Sequence, residues 1–175
     1  MRITGGIFRG RTVAAPHGTA THPMGDRIRS ALFNILGDIS GLSVVDAFSG
    51  SGIVAIEAAS RGAKNVVSIE IEKSSADIIR NNVMNLNIEN IEIMNMSLIA
   101  WCERNSKQHF DLIFCDPPFN NLQLNSVTKL ATFLTSDGLF IFCNPKSSTL
   151  IEIEGLTLID NRIYSGAMLN FYKKQ

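Results

Sequence analysis

Short apolar runs alternate with amphipathic stretches from about residue 43 to the end of the chain. Runs rich in β-branched residues predict five strands, at 43–47, 65–70, 91–95, 111–115 and 138–143. Between these runs, apolar residues recur at helical spacing and predict four helices, at about 52–61, 73–85, 97–105 and 122–134. Strands that alternate with helices in this way are typical of a parallel α/β sheet with helices on both faces.

The C-terminal tail follows a different pattern. Residues 156–164 and 167–173 are two strand-like runs that meet at Ser165 and Gly166. A short connection of this kind predicts an antiparallel hairpin at the end of the sheet. The predicted fold class is therefore α/β: a Rossmann-like, doubly wound sheet that is mostly parallel, with an antiparallel C-terminal hairpin.

The first forty residues are predicted to form a small N-terminal extension that packs on the main domain at 41–175. Residues 1–14 predict a glycine-punctuated hairpin, and a loop follows through Pro16, His17, His22 and Pro23. Asp26 is then predicted to cap a helix that ends at Gly37 and buries Ile28, Leu32, Ile35 and Leu36. The extension is too short to build a core of its own.

Composition narrows the class of protein. The chain has 175 residues, of which 45% are hydrophobic and 18% charged, which favours one globular domain over a disordered chain. Its apolar runs are too short to cross a bilayer, and its first residues have no apolar signal segment. The three cysteines are widely spaced, which predicts neither disulfides nor a metal site. We therefore expect a cytoplasmic protein without a membrane or an obligate protein partner.

The charges are unevenly distributed, although 16 basic residues balance 16 acidic ones. Residues 1–30 contain a single acidic residue, Asp26, and five arginines: Arg2, Arg9, Arg11, Arg27 and Arg29. Arg9 and Arg11 have the spacing of two residues on one face of a strand, which favours a surface that contacts phosphates. Arg27 and Arg29 are candidates for the same role, or are solvated helix charges. The sequence thus predicts a local nucleic-acid contact instead of a uniformly basic surface.

A glycine-rich loop follows the first predicted strand. Gly50, Gly52 and Ala55 match the G-x-G-x-x-A form of the dinucleotide-binding loop, and Glu70 ends the second strand where it can accept hydrogen bonds from a ribose. The same glycines also suit a purely structural turn. Asp46 precedes them, and its carboxylate would repel a pyrophosphate but suit a cation such as S-adenosylmethionine (SAM). Alternatively, Asp46 caps the loop by accepting backbone N–H groups.

A second loop, Asp116-Pro117-Pro118-Phe119, follows the fourth predicted strand. The carboxyl ends of strands one and four are neighbours in a doubly wound sheet, so the two loops should face each other. The Asp116 carboxylate and the carbonyls of Asp116 and Pro117 are acceptors, and Phe119 offers a stacking surface. This set suits a planar base with an exocyclic amine that attacks the methyl group of SAM, with its proton passing to Asp116 or to water. The alternative is a rigid turn with a hydrophobic plug.

Several segments resemble one family in order along nearly the whole chain: RITGGIFRGR, DRIRSALFNIL, DAFSGSGIVAIEAASRGA, IFCDPPF and YSGAMLNFY. They are similar to the RsmD family of 16S ribosomal RNA guanine-N2 methyltransferases, which are class I SAM-dependent enzymes. The resemblance implies methyl transfer to N2 of a guanine in 16S rRNA, within a small-subunit assembly intermediate. It implies a catalytic loop at Asp116, Pro117, Pro118 and Phe119. The cofactor positions that it implies are Asp46, Phe48, Gly50, Gly52, Glu70, Ile71 and Met96.

The chain departs from the family pattern at a few positions. The family's R-P-T-x-D-R-V-R-E reads H-P-M-G-D-R-I-R-S here, which places His22, Met24, Gly25 and Ser30 at the changed positions. Met96, with Asn95 beside it, stands where many SAM enzymes have an acidic or amide side chain near the adenine. Asn144 stands where the family often has a glutamate. Adenine would then be held by backbone groups and apolar side chains.

The sequence is also compatible with three other functions. An adenine-N6 methyltransferase acting on DNA or RNA would use the same loop, although no separate target-recognition domain is evident. An NAD-dependent oxidoreductase would use the glycine loop but leave the second loop without a role. A non-catalytic RNA-binding assembly factor would need neither loop intact. The remaining side chains of interest are predicted to be structural: His17, His22, His109, Trp101, Met84, Met94, Cys115 and Cys143.

Overall fold

The computed structural model describes residues 1–16, 24–119, 121–164 and 166–175. The helices are α1 (Asp26–Leu36), α2 (Ile53–Ser60), α3 (Lys73–Leu86), α4 (Leu98–Arg104) and α5 (Leu124–Ala131). The strands are β1 (Ser43–Asp46), β2 (Asn65–Glu70), β3 (Ile91–Asn95), β4 (Phe110–Cys115), β5 (Leu134–Pro145), β6 (Leu156–Ile163) and β7 (Ala167–Lys174). Every strand and helix predicted for the main domain is present, with shifts at some ends. None of the described helices is long and apolar enough to span a membrane.

Seven strands form one sheet in the order β3-β2-β1-β4-β5-β7-β6. The first five are parallel to one another, and β7 pairs antiparallel with both β5 and β6. The predicted fold class is therefore confirmed. Strand order reverses between β1 and β4, and the register places Asp46 of β1 beside Phe114 of β4. The carboxyl ends of these two strands consequently share the edge at which ligands bind in such sheets.

Two apolar clusters cover the two faces of the sheet. Helices α1, α2 and α3 pack on one face, where they bury Phe33, Ile56 and Ile79. Helices α4 and α5 pack on the other face, around Trp101 and Leu130. Successive strand residues point to opposite faces, so the strands read as continuous apolar runs because both faces are covered. Burial confirms the predicted structural roles of Trp101, Cys115 and Cys143, whereas Met84, predicted to pack in the core, is 67% exposed on α3.

Strand β5 begins earlier than the sequence predicts. The last helix was predicted to continue to residue 134, but α5 ends at Ala131 and Leu134 already pairs with Phe110 of β4. Phe133 and Leu134 are both buried, and a short apolar run of this kind fits a helix and a strand equally well. The pairing with β4 is irregular between Leu134 and Leu139, which is the region that the sequence assigned to a connection.

The predicted N-terminal hairpin is present: Arg2 and Thr12 form an antiparallel bridge, and backbone hydrogen bonds also join Ile3 to Arg11 and Met1 to Val13. Arg9 lies in a turn at residues 7–10, so the predicted strand spacing of Arg9 and Arg11 is wrong. The glycines of this segment allow a close approach to α2: a Cβ at Gly6, where φ is +76°, would lie 1.8 Å from the Ser60 carbonyl oxygen. The Ile7 N–H donates to that same oxygen at 2.8 Å. The extension therefore packs directly on α2, while its boundary at residue 40 stays a prediction.

Helix α1 buries Leu32 as predicted, and Ile28 and Leu36 pack partly against the same cluster, but its buried face also includes Arg29 and Phe33. Gly25 occupies the N-cap and Asp26 lies in the first turn, so Asp26 does not cap the helix. Ile35, predicted to be buried, is 42% exposed, and Arg29 is buried together with Leu32 and Phe33. His17 and His22 of the predicted loop, and Ser165 of the predicted hairpin connection, lie outside the described residues.

Candidate active site

Asp46 ends β1 with a carboxylate that is almost completely buried. The Ala55 N–H donates to Asp46 Oδ2 at 3.2 Å, and the Ser49 hydroxyl donates to the Asp46 backbone oxygen at 2.9 Å. Burial raises the pKa of Asp46 to about 7, and the negative charges of Asp116 and Glu70 add to the increase. Asp46 thus accepts a backbone N–H, as a loop cap does, and it also carries a charge with few partners, which favours a cationic ligand.

The glycine loop has a conformation that other residues rarely adopt. Gly50 and Gly52 have φ values of +52° and +73°, and Gly52 immediately precedes α2. A Cβ at Gly52 would lie 2.8 Å from Ile79 Cγ1, so packing alone requires a glycine there. Packing and backbone conformation therefore explain why a glycine stands at position 52. Gly52 also follows β1 at the same edge of the sheet as Asp46, so it stays a candidate cofactor residue.

Glu70 connects the end of β2 to the glycine loop. Its two carboxylate oxygens accept the N–H of Gly50 at 2.6 Å and the N–H of Glu72 at 2.7 Å. Burial raises the pKa of Glu70, although these two hydrogen bonds oppose that shift. The carboxylate is therefore held in one orientation at the same edge of the sheet as Asp46.

The remaining predicted cofactor residues follow β1, β2 and β3 at this edge. Ile71 is 64% exposed directly after β2, and Phe48 and Met96 pack partly against the cluster that α4 and α5 cover. The Asn95 amide, a polar group near the predicted adenine position, donates to the carbonyls of Glu70 and Ile71 at 2.9 and 3.0 Å. Asn95 therefore holds the backbone after β2, and the remaining predicted cofactor side chains at this edge are apolar.

The loop after β4 presents acceptors beside an exposed ring. Burial raises the pKa of Asp116 to about 6, and the nearby Cys143 thiol opposes the shift. Pro117 is buried and anchors the loop, and the Asn121 N–H closes it on the Pro118 carbonyl at 2.9 Å. Phe119 is 49% exposed, which does not fit a hydrophobic plug. The exposed ring instead is available to stack on a ligand.

The charge of the candidate site is negative. Desolvation raises the pKa of Asp46, Glu70 and Asp116, and the negative charges of Asp116 and Glu70 raise the pKa of Asp46 further. A cation would offset this charge. Within the described ranges, no group of three His, Cys, Asp or Glu side chains is arranged to hold a metal ion.

The predicted arginines divide into two groups. Arg2, Arg9, Arg11 and Arg27 are exposed. Arg29 is completely buried, and the predictions that it contacts nucleic acid or is a solvated helix charge are both wrong. Its guanidinium donates to Glu57 Oε2 at 3.1 Å, to Asp26 Oδ1 at 3.0 Å and to the carbonyls of Met24 and Arg2. Arg29 thus connects α1 to the N-terminal segment and to α2.

Glu57 is the centre of this buried network and was not among the predicted site residues. Glu57 accepts the Thr4 N–H at 2.9 Å, the Thr4 hydroxyl at 2.6 Å and the Arg61 Nη2 at 2.9 Å, in addition to Arg29. Burial alone would raise the pKa of Glu57, but these hydrogen bonds lower it below its usual value. Its signal in the sequence is a single acidic residue in the otherwise apolar helix IVAIEAAS.

Known proteins resemble the chain along nearly all of its length. The sequence model of a family described as "Conserved hypothetical protein 95" matches residues 1–173. The ribosomal RNA small subunit methyltransferase D of Haemophilus influenzae is 32% identical over 169 residues, which are 93% of this chain and 88% of the relative. A solved structure from Escherichia coli has a TM-score of 0.86 at 26% identity and covers 100% of this chain and 98% of its own. Another, from Haemophilus influenzae, has a TM-score of 0.82 at 29% identity and covers 99% and 97%.

These likenesses agree with the geometry of the candidate site. The family model and the full-length solved structures include the N-terminal segment, both loops and the C-terminal hairpin in one alignment. An oxidoreductase that uses the glycine loop for NAD is therefore no longer an alternative. The chain belongs to the RsmD family of SAM-dependent methyltransferases.

Proposed function

We propose that this protein transfers one methyl group from SAM to the exocyclic N2 amine of a guanine in 16S ribosomal RNA. The observation that carries the proposal is the pairing of two loops at the switch point of the sheet. One loop follows Asp46, whose buried carboxylate has few hydrogen-bond donors. The other loop contains Asp116 and the exposed ring of Phe119. The relatives named ribosomal RNA small subunit methyltransferase D support the choice of RNA.

The residues of the first loop fit SAM by charge and by shape. Asp46 carries a buried negative charge that the sulfonium or amino group of SAM would offset. Glu70 is fixed by two backbone N–H groups, and its remaining lone pairs can accept the ribose hydroxyls. Ile71 and Met96 would flank the adenine. Bound SAM supplies a methyl group that is already electrophilic, so the protein needs only to position the amine and receive a proton.

The second loop would hold and orient the guanine. The Asp116 carboxylate and the Pro117 carbonyl can each accept one hydrogen of the amine, which directs the nitrogen lone pair towards the methyl group. Phe119 can stack on the base, a contact that contributes about 1–3 kcal/mol. A pKa of about 6 makes Asp116 mostly ionised at neutral pH, so it can accept both the hydrogen bond and the proton that the amine releases.

The exposed arginines of the N-terminal extension would contact RNA phosphates. Arg2, Arg9, Arg11 and Arg27 are all exposed, and guanidinium groups bind phosphates well. Arg29 no longer belongs to this set because Glu57 and Asp26 bind it in the interior. The corresponding substrate would be 16S rRNA in a small-subunit assembly intermediate in the cytoplasm, with the target guanine flipped into the cleft.

Methyl transfer from labelled SAM tests the proposal. The purified protein would be incubated with naked 16S rRNA, with assembly intermediates and with complete small subunits, and the RNA would be digested to nucleosides. We expect labelled N2-methylguanosine. Labelled N6-methyladenosine would show that the target base is adenine and not guanine, since the loop after β4 suits any exocyclic amine. Absence of transfer with intact RNA binding would favour a non-catalytic assembly factor.

Asp116→Ala should abolish most of this activity. It removes an acceptor from the amine and a proton acceptor from the reaction, so the rate should fall on the order of 10²–10⁴-fold. The affinity for SAM, measured by calorimetry, should change less than about threefold because the cofactor contacts belong to the first loop. Asp137→Ala, at an exposed position of β5, is a matched control that should keep wild-type activity. Retained transfer, or a loss of transfer that a matching loss of SAM affinity accounts for, would contradict the assignment of Asp116.

A further inference from the structure

A polar groove lies between the N-terminal segment and the C-terminal half of α3. Residues 10–14 form one wall, and Asn82, Asn85 and Leu86 of α3 form the other. Its volume is about 460 Å³. Apart from Arg11, none of these residues belongs to the proposed cofactor, base or phosphate contacts. The groove is therefore a separate feature whose role the reaction itself does not explain.

The walls of the groove are fixed to each other. The Ala14 N–H donates to Asn82 Oδ1 at 2.9 Å, and the Asn82 amide donates back to the Ala14 carbonyl at 3.0 Å. The Val13 N–H donates to the Met1 carbonyl at 2.9 Å, and the Val13 side chain is only 6% exposed. A groove that is already formed requires little ordering when a ligand binds.

The chemistry of the groove suits an anionic, polar chain. Arg11, Thr12 and Asn85 are exposed and offer a guanidinium, a hydroxyl and an amide. The Arg2 guanidinium is close to the opening, since a Cβ at Gly10 would lie 4.0 Å from Arg2 Nη2. None of the described residues that line the groove is acidic. Guanidinium groups match phosphates, and hydroxyl and amide groups match sugar hydroxyls and phosphate oxygens.

A protein partner fits the groove less well. The larger apolar side chains of its described lining, Val13 and Leu86, are both 6% exposed, and the exposed Ala14 offers a partner only one methyl group. Protein interfaces depend on apolar and aromatic anchors that become fully buried, and no aromatic residue lines this groove among the residues described. The balance of polar and charged groups thus favours a nucleic-acid backbone.

The groove is far from the proposed site of methyl transfer. Helix α3 begins at Lys73, directly after the segment that follows Glu70, and Asn85 lies near its other end. At 1.5 Å per residue, the two ends of this stretch are about 18 Å apart along the helix axis. A ligand in the groove would therefore contribute to RNA affinity without contacting the reacting base.

We propose that the groove between residues 10–14 and α3 binds the sugar-phosphate backbone of the substrate RNA, remote from the methylated nucleotide. This inference rests on the proposed function in one respect, namely that the substrate is RNA. It adds Thr12 and Asn85 to the RNA contacts and assigns Arg11 to a defined site. Asn82 is a positioning residue, because it holds the wall at Ala14.

Asn85→Asp tests the groove with a nearly isosteric change that places a negative charge in it. Asn161→Asp on β6 is the matched control, since it changes the net charge equally at an exposed position on the sheet edge opposite β3. Binding of an unmethylated 16S rRNA transcript would be measured by fluorescence anisotropy. We expect the Kd of Asn85→Asp to rise about tenfold and that of Asn161→Asp to stay within about twofold. Equal effects of the two variants would overturn the proposal.

Steady-state kinetics separates the groove from the catalytic loops. Asn85→Asp should raise KM for the transcript while kcat and the SAM affinity stay within about twofold. Arg11→Gln should lower the slope of log Kd against log salt by about 0.7–0.9, the value for one phosphate contact. An unchanged slope, or a loss confined to kcat, would contradict a backbone contact at this place.

The outcomes distinguish the groove from the proposed function. If the wild-type protein methylates adenine and Asn85→Asp still weakens RNA binding, the groove is supported and the guanine assignment fails. If it methylates guanine N2 and Asn85→Asp binds RNA as Asn161→Asp does, the groove alone fails. Absence of transcript binding by the wild-type protein overturns the groove. A loss seen only with assembled subunits would assign the groove to a ribosomal protein and overturn it as an RNA site.

Discussion

Two carboxylates on the same stretch of chain are equally buried and behave in opposite ways. Asp46 is 2% exposed and Glu57 is 0% exposed. The pKa of Asp46 is raised to about 7, whereas the pKa of Glu57 is lowered. Burial acts in the same direction on both, so the difference comes from their partners. Glu57 accepts from Thr4 and from two arginines, Arg29 and Arg61. The Asp46 carboxylate has only the Ser49 hydroxyl and the Ala55 N–H to lower its pKa, has no cationic partner, and lies near two other carboxylates.

The comparison separates a structural charge from one that is available to a ligand. A buried carboxylate with a full set of donors holds neighbouring segments together and gains little from another partner. A buried carboxylate with few donors retains an unfavourable energy that a cationic ligand can relieve. Glu57 therefore fixes the N-terminal extension on α2, and Asp46 favours the binding of SAM.

Glu57→Gln should have the largest effect on stability. The amide keeps the shape of the side chain but removes the buried counter-charge of Arg29 and leaves it only the exposed carboxylate of Asp26, a change that costs about 3–5 kcal/mol. Urea unfolding at pH 7.5 would measure the loss. Asp46→Asn is the comparison variant, and it should leave the free energy of unfolding unchanged or slightly higher while SAM affinity falls. Equal destabilisation by the two substitutions would show that burial, and not the set of partners, determines their roles.

The pH dependence of stability should reveal Asp46 directly. Its pKa is about 7 in the folded protein, against a usual value of 3.8, so the folded state keeps a proton that the unfolded state releases between these values. Its contribution to stability is thus complete below pH 3.8 and is lost as the pH rises through 7. The free energy of unfolding should fall by up to about 1.4 kcal/mol per pH unit for this group. Asp116 and Glu70 contribute with the same sign.

Asp46→Asn should flatten this dependence. Urea unfolding of the SAM-free protein at intervals from pH 5 to pH 7.5 would give the slope for both proteins. Glu57 provides an internal contrast, since its lowered pKa makes its contribution constant above about pH 4.5 and causes a loss only in acid. If Asp46→Asn kept the full wild-type slope of unfolding free energy against pH, other groups would cause that slope. Asp46 would then not be the buried carboxylate with a raised pKa.

The sequence predicted the candidate site better than the network around Glu57. Strands β2 and β3 have the predicted bounds, and Asp46 and Asp116 end neighbouring strands as expected. These features depend on local periodicity and on a topology that strand-helix alternation determines. The predictions failed where a residue's environment depends on a partner distant in the sequence. Arg27 and Arg29 look alike in the sequence, yet only Arg29 faces Glu57, which lies on another helix.

Predictions from sequence patterns also failed at the ends of strands, again because contacts with distant residues decide the structure there. Leu134 could continue a helix or begin a strand because an apolar run fits both, and pairing with Phe110 of β4 decides between them. The spacing of Arg9 and Arg11 suggested a strand, but the Arg9 N–H donates to the Gly6 carbonyl at 3.2 Å and closes a turn. Ser60 holds this turn through hydrogen bonds with Gly5, Ile7 and Phe8. In both cases, tertiary contacts overrode a local signal that was weak by itself.

Thr4→Val should produce the smallest change in the free energy of unfolding. It tests how much one donor contributes to the hydrogen bonds around Glu57. It removes the hydroxyl that donates to Glu57 Oε1 at 2.6 Å and keeps both the shape of the side chain and the Thr4 N–H. Loss of a hydrogen bond to a charged group should lower the free energy of unfolding by about 1.5–3 kcal/mol, at the lower end here because Arg29 and Arg61 still neutralise Glu57. Thr157→Val, at an exposed position of β6, is the matched control.

The result decides whether the N-terminal segment is held mainly by this carboxylate. Thr4 belongs to the same segment as the wall of the groove, but Ser60 and Asn82 also bind that segment through separate hydrogen bonds. Thr4→Val should therefore reduce stability while the Kd for the RNA transcript stays within about twofold. A destabilised protein that also bound RNA tenfold more weakly would mean that Glu57 maintains the groove, and the separation between a structural carboxylate and a ligand-binding surface would no longer hold.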